Sequence, residues 1–312
     1  MIERTSENKI VLVTRRSRLD ELVQRFNTED QARFYVEHLG ADFTDYRQEH
    51  HQYLDAARQA ESILSLMGRV QRLDRSFVPN FVFGEKDLVV VLGQDGLVAN
   101  VLKYLDKQVL IGVNPDPSRW EGALLPFEVG ELQRVIPEIF SGNRSIREVT
   151  MACVTLNTGE TLHAVNDLFI GPRSHTSARY QLNLGKRTET QSSSGIIVST
   201  GLGSTGWMRS VIAGAGGVSS ALSNQKIDLP NGGFDWGADH LFFSVREPWP
   251  SKTSQAGITF GKVTRNSPLI LTSQMAEHGV IFSDGIETDF IQFNAGTCAT
   301  ISVADRRGYL AE

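Results

Sequence analysis

A chain of 312 residues, 40% hydrophobic and 21% charged, has the composition of a globular protein of about two domains, long enough to bury a sizeable core. Its net charge of −5 argues against a protein held on nucleic acid by bulk positive charge. The longest apolar runs, such as Leu88 to Leu92, fall far short of the roughly 20 residues that span a bilayer, so no membrane partner is expected. Two cysteines, Cys153 and Cys298, exclude a disulfide framework and a four-cysteine zinc site. The opening MIERTSENK has no apolar stretch of the secretory kind, and a cytoplasmic protein is expected.

The first third alternates strand and helix patterns. Lys9 to Val13 is a short apolar run with β-branched residues, which predicts a buried strand, and a helix follows near Arg18 to Phe26. Thr28 with Gln31 fits a capping box for a second helix running to about Leu39 and closed by Gly40. Thr44 is the expected cap of a long polar helix ending at Gly68. Asp87 to Leu92 predicts a strand, Leu97 to Leu105 a helix and Gln108 to Val113 another strand. Such alternation implies a parallel sheet covered by helices. From about Arg147 the texture changes to closely spaced strand runs, with Asn157-Thr158-Gly159 as a hairpin turn. A helical stretch near Ser204 to Leu222 interrupts them, Asn224 to Gly237 reads as a loop, and strands then resume to the end. The expected architecture is an α/β lobe with a parallel sheet, followed by a β-rich and antiparallel second lobe.

Three segments carry chemistry. In Val89-Val90-Val91-Leu92-Gly93-Gln94-Asp95-Gly96 a glycine turn joins a strand to a helix start. Its free N–H groups and the helix dipole favour phosphate, and glycines permit close approach and positive φ. Asp95 at the strand tips suits a general base for a hydroxyl, or a metal-linked group; the plain alternative is an ordinary Asp-Gly turn. The run from Gly195 to Gly206 contains a literal G-x-G-x-x-G at Gly201, Gly203 and Gly206, with Asp228 as the possible ribose acid of a dinucleotide fold. The antiparallel texture before it weighs against that reading. The hydroxyls Ser199, Thr200, Ser204 and Thr205 suggest hydrogen bonds to a base or phosphate. Asn166-Asp167 interrupts an apolar run, either as a bulge or as an amide and carboxylate that grip two ribose hydroxyls. No histidine or cysteine spacing matches a metal site, and Asp284-Gly285 reads as a turn.

Taken in order, Gly93-Gln94-Asp95-Gly96, Asn166-Asp167 and Ser199-Thr200-Gly201-Leu202-Gly203-Ser204-Thr205 resemble the NAD kinase family. Its members carry a G-G-D-G loop, a mid-chain Asn-Glu pair and a strand ending in Ser-Thr before a Gly-Ser-Thr helix start. Ile111 to Gly122, Phe169 to Gly171, Ser193 to Gly195 and Phe243 to Pro248 are similar to the mitochondrial-type branch. The likeness runs from about Asp87 to the C-terminus. It implies transfer of a phosphoryl group from ATP with Mg²⁺ to the 2′-hydroxyl of the adenosine ribose of NAD. Asp95 would be the acid–base residue, Gly93, Gln94 and Gly96 the phosphate loop, and Asn166 and Asp167 the grip on the acceptor ribose. Ser199, Thr200, Ser204 and Thr205 would line the adenine and phosphate side. The resemblance also implies an α/β lobe over 1–145, completed by 294–312, a β-rich lobe over 146–293, and a homodimer.

The chain departs from the family at three positions. Gln94 stands for the second loop glycine, Leu97 for a small polar residue, and Asp167 for Glu, about 1.5 Å shorter in reach, one methylene's length. Two other readings follow from these departures: a kinase for another small hydroxyl compound, such as a sugar or nucleoside, and a catalytically altered NAD(P)-binding sensor. A hydride-transferring oxidoreductase resting on the 201–206 glycines is the third.

Overall fold

The computed structural model describes residues 4–223 and 233–312. The chain divides into two units: Met1–Arg147 with Tyr309–Glu312, and Glu148–Gly308. The return to the first unit therefore starts at Tyr309, and residues 294–308 group with the second.

The first unit is α/β. Its strands are β1 (Lys9–Thr14), β2 (Arg69–Asp74), β3 (Leu88–Leu92), β4 (Val109–Asn114) and the short β5 (Phe127–Glu128). They pair in parallel, β2 with β1, β1 with β3, β3 with β4, and β4 with β5. Residues of β1, β3 and β4 are apolar and buried on both faces, as a sheet covered by helices requires. The helices are α1 (Arg18–Phe26), α2 (Glu29–His38), α3 (Phe43–Met67), α4 (Asp95–Leu102) and α5 (Leu132–Phe140). Tyr53, Ala57, Ala60 and Leu64 of α3 pack with Ile10, Leu12 and Val90 of the sheet and Leu132 and Ile136 of α5.

Thr28 caps α2 as expected, accepting from the Gln31 N–H at 3.2 Å. The cap of α3 is Asp42, not Thr44: its carboxylate accepts from the Thr44 N–H at 2.8 Å. An acidic oxygen two residues earlier serves the same free donor, which is why either residue fits the local pattern. The strand β2 has no hydrophobic signature, because it lies at the sheet's edge and buries only Leu73.

The second unit is built on antiparallel pairing. It contains β6 (Ile146–Leu156, entered from the first unit), β7 (Thr161–Ala164), β8 (Asp167–Pro172), β9 (Ala178–Leu184), β10 (Arg187–Ser193) and β11 (Ile196–Ser199). After α6 (Trp207–Ser223) come β12 (Leu241–Val245), β13 (Phe260–Val263), β14 (Leu269–Ser273), β15 (Gly279–Ser283), β16 (Phe290–Gln292) and β17 (Cys298–Ala311). One sheet runs β13-β12-β11-β8-β15-β16; β10-β9-β14-β17 are paired in another. Alternate residues of both, including Leu168, Ile170, Val198, Phe243, Ile281, Tyr180, Leu182, Leu271 and Ile301, share one core. Of the loop expected over Asn224 to Gly237, residues 224–232, with Asp228 among them, lie outside the described residues. No described helix is long and apolar enough to cross a membrane.

Candidate functional site

Each unit contributes one cluster of the residues singled out in the sequence. In the first, the chain leaves β3 at Gly93, whose N–H donates to the Val113 carbonyl at 3.2 Å. A Cβ at Gly93 would stand 2.8 Å from Leu97 Cδ2, the movable end of a side chain, so a larger residue here would require Leu97 to shift. Neither Gly93 nor Gly96 has positive φ, contrary to the conformational reason expected for them. Gln94 is the N-cap of α4 in an extended conformation that any residue adopts, and its side chain makes no capping bond. Its carbonyl accepts from Leu97 at 2.8 Å and Val98 at 3.2 Å, leaving the earlier N–H groups of Asp95 and Gly96 outside the helix ladder.

Asp95 is the first residue of α4 rather than part of the turn. Its Oδ1 accepts from the Leu124 N–H at 2.7 Å, and no other donor among the described residues reaches the carboxylate. Gly112 makes that contact possible: a Cβ there would fall 1.9 Å from the Leu124 carbonyl oxygen, so only glycine lets this stretch lie on β4. Three further residues border the loop and carry no local sequence signal. The Tyr53 hydroxyl accepts from the Arg15 N–H at 2.8 Å and donates to the Leu92 carbonyl at 3.1 Å, tying the ends of β1 and β3 together. Burial pushes its phenol above the usual range. Arg15 pairs with the buried Glu49 at 2.9 Å, and its Cδ lies 3.8 Å from where a Gly93 Cβ would sit. Helical residues 34 and 38 positions downstream of Arg15 have no spacing relation to it that a motif could reveal.

In the second unit, β7 stops at Ala164 and β8 begins at Asp167, so Val165 and Asn166 form a break. Asp167 pairs with Ser199, and Ser199 with Phe242, in one cross-strand row. The break is held from one side by Asp284. Its carboxylate accepts from the N–H groups of Val165 at 3.0 Å, Asn166 at 2.6 Å and Asp167 at 3.4 Å, and its own N–H donates to the Asp167 carbonyl at 2.9 Å. Asp284 has φ 55, a left-handed conformation that Asp tolerates better than most side chains. From the other side, Thr200 donates its N–H to the Asn166 carbonyl at 2.9 Å and its hydroxyl to the Val165 carbonyl. Gly203 completes the enclosure; a Cβ there would be 2.1 Å from the Asn166 carbonyl oxygen.

With the backbone fixed this way, no described residue hydrogen-bonds the side chain of Asn166 or of Asp167. Asp167 is nonetheless only 7% exposed. Burial, with the Asp284 charge as a lesser cause, pushes its carboxyl up to about 7. The hydroxyl cluster behaves differently. Ser199 donates to the Thr200 carbonyl at 3.1 Å, and Ser204 donates to the Gly201 carbonyl and accepts from the Phe234 N–H at 3.1 Å. Three of the four hydroxyls thus hold the loop itself, and Thr205 is the exposed one. The Phe242 ring at the end of the row belongs to an aromatic cluster with Phe234, His240 and Phe260.

The literal G-x-G-x-x-G does not form a dinucleotide turn. The strand before it, β11, is antiparallel to both neighbours, and Gly201 is small because the Asp235 carbonyl would sit 2.0 Å from its Cβ. Among the described residues no group of three or more His, Cys, Asp or Glu side chains is arranged to hold a metal.

No known protein-family profile matches the sequence, and no curated protein is similar to it at a significant level. Solved structures do match. Yeast NADH kinase, solved in complex with NADH, aligns over 98% of this chain and 84% of its own, with a TM-score of 0.58 at 14% identity. An NAD kinase from Archaeoglobus fulgidus, solved in complex with ATP, aligns over 97% and 93%, with a TM-score of 0.56 at 14% identity. The two-lobed α/β and β-rich fold of this chain is the fold of those kinases.

Proposed function

We propose that the chain is a kinase that transfers a phosphoryl group from ATP to the 2′-hydroxyl of the adenosine ribose of NAD, giving NADP. The observation that carries this reading is the Asn166–Asp167 pair. Asp167 is buried with no described donor to its carboxylate, and the amide of the half-buried Asn166 beside it likewise has no described partner. Vicinal hydroxyls, each a donor and an acceptor, satisfy both groups at once. The aromatic cluster around Phe242 offers faces on which a planar base can stack. The fold shared with an NADH kinase and an NAD kinase supports the same substrate class.

In this reading the Gly93-Gln94-Asp95-Gly96 loop binds the donor phosphates through its backbone N–H groups and the positive end of α4. Asp95, fixed by the Leu124 N–H through one oxygen, keeps the other for the proton of the attacking hydroxyl. Mg²⁺ fits as an ion carried in by the nucleotide, whose phosphates and waters supply most of its ligands and whose charge it neutralises. The Asp95 carboxylate is the protein group in the loop suited to it. In this reading Thr200 supports the acceptor segment through its main chain, Ser199 and Ser204 hold the adjoining loop, and the exposed Thr205 is the hydroxyl left to touch a ligand. The reading extends to a cytoplasmic homodimer, which light scattering of the purified protein tests.

The deciding experiment is NADP⁺ formation from NAD⁺, ATP and Mg²⁺, beside an Asp95→Asn control. NADP⁺ made by the wild type and lost in the variant supports the kinase. Dinucleotide binding with no turnover points instead to a sensor, in which the Gln94 side chain at the helix N-terminus keeps the donor out. Turnover of ATP with sugars or nucleosides but not NAD would reassign the acceptor, in line with the shorter reach of Asp167.

A further inference from the structure

The Asp284 carboxylate does more than close a turn. Three consecutive N–H groups, from Val165 to Asp167, converge on it across a sequence separation of nearly 120 residues, and the first of them reaches both of its oxygens, at 3.0 and 3.2 Å. The Asp284 N–H returns a bond to the Asp167 carbonyl, and Ser283 is paired with Leu168 in the adjoining strands. Charge-assisted bonds of this kind are roughly twice as strong as neutral ones. The Thr200 bonds fix the carbonyls of the same residues, so the peptide groups on either side of Asn166 are held by opposite elements. A strand break would otherwise be free to rotate, and with it the two side chains that have no partner of their own.

We propose that Asp284 is the positioning residue of the acceptor site: it touches no substrate and acts through the 165–167 backbone to aim the Asn166 amide and the Asp167 carboxylate. The assignment rests on the kinase reading for the identity of the acceptor, but its structural half does not.

The test uses the full chain with Asp284→Asn, which keeps the shape and tolerates the left-handed conformation but puts an amide N–H₂ where one carboxylate oxygen now accepts. Asp284→Glu, which keeps the charge and displaces it by one methylene, is the companion variant. Two readouts are taken. Amide hydrogen exchange at Asn166 and Asp167 should quicken at least tenfold in Asp284→Asn while the paired amides of β11 and β12 stay as in the wild type. The Kd for NAD⁺, from calorimetry, should weaken by roughly 10²-fold, as expected for misplaced binding groups, with the Kd for ATP within twofold of the wild type. Unchanged exchange overturns the clamp. Faster exchange with NAD⁺ affinity unchanged, or with both ligands lost equally alongside a collapse of folding, overturns the positioning role in favour of a structural one. A wild type that binds no dinucleotide sinks the kinase reading instead, and the exchange measurement then still decides whether Asp284 holds this segment.

Discussion

The two clusters solve the problem of presenting polar groups in opposite ways. The Gly93–Gly96 loop sits at the end of a parallel sheet and offers backbone: two N–H groups that the helix leaves over, and one carboxylate held by a single bond from Leu124. The 165–167 break lies between antiparallel strands and offers side chains. There the backbone is wholly occupied, by Asp284 on its donors and Thr200 on its acceptors, and it is the Asn166 and Asp167 side chains that remain. Backbone sites need only a sharp turn and a helix start. Side-chain sites need an outside residue to fix the main chain first.

That contrast can be broken at its strongest point with Asp95→Asn. If the loop supplies the chemistry and the break supplies the grip, the variant should lose roughly 10²–10⁴-fold in turnover. Its NAD⁺ affinity, by calorimetry, should remain within a few-fold of the wild type. The next largest effects come from the two glycines that permit each cluster. Gly203→Ala drives a methyl into the Asn166 carbonyl and Gly112→Ala drives one into the Leu124 carbonyl; each should cost about 2–4 kcal/mol in denaturant unfolding. Among the folded molecules, Gly203→Ala should weaken dinucleotide binding first and Gly112→Ala nucleotide triphosphate binding first.

A smaller effect concerns acidity. Asp167 has its native carboxyl raised to about 7, so the folded protein holds a proton that the unfolded chain releases near pH 4. Stability therefore falls as pH rises from about 4 to about 7 and is flat above that. Asp167→Asn should remove this fall, so the melting temperatures of variant and wild type should diverge across that window and run parallel beyond it. Ionised Asp167 is the form that accepts from two hydroxyls, so NAD⁺ affinity of the wild type should strengthen through the same range. The smallest effect expected is that of Gly96→Ala. No heavy atom lies within 4 Å of a Cβ there and the residue is helical, so unfolding free energy should change by less than about 1 kcal/mol.

The same contrast explains what the sequence made legible. The loop after β3 follows from contiguous residues: an apolar run, a glycine, a helix pattern. The alternation of strand and helix in the first unit, and the closely spaced strands of the second, are likewise local signals. The strands β2 and β10 escape because their residues are mostly charged or polar, which removes the hydrophobic pattern while the backbone ladder remains. Asn166-Asp167 stands out as a polar interruption, but its meaning depends on Asp284, which reads locally as an ordinary Asp-Gly turn. Tyr53, Glu49 and Arg15 come together only once α3 has packed on the sheet. The G-x-G-x-x-G run misleads for a related reason: its glycines answer to close carbonyls of Asp235 and Asn166, and not to a phosphate turn.

The last strand has a consequence for how the protein is made. Within the first unit, β4 is flanked on one side by Tyr309 and Leu310, which pair with Val109 and Leu110. Those partners emerge from the ribosome roughly 200 residues after β4 itself, a delay of about 10–40 s at ordinary elongation rates. β5 meets this edge at Val113 and Asn114, but throughout that interval its Val109–Leu110 end stays unpaired, an apolar edge of the kind that recruits other strands. Its native neighbour is synthesised long after β4, so the yield of folded protein should be sensitive to translation speed and to chaperones that shield the edge until β17 arrives.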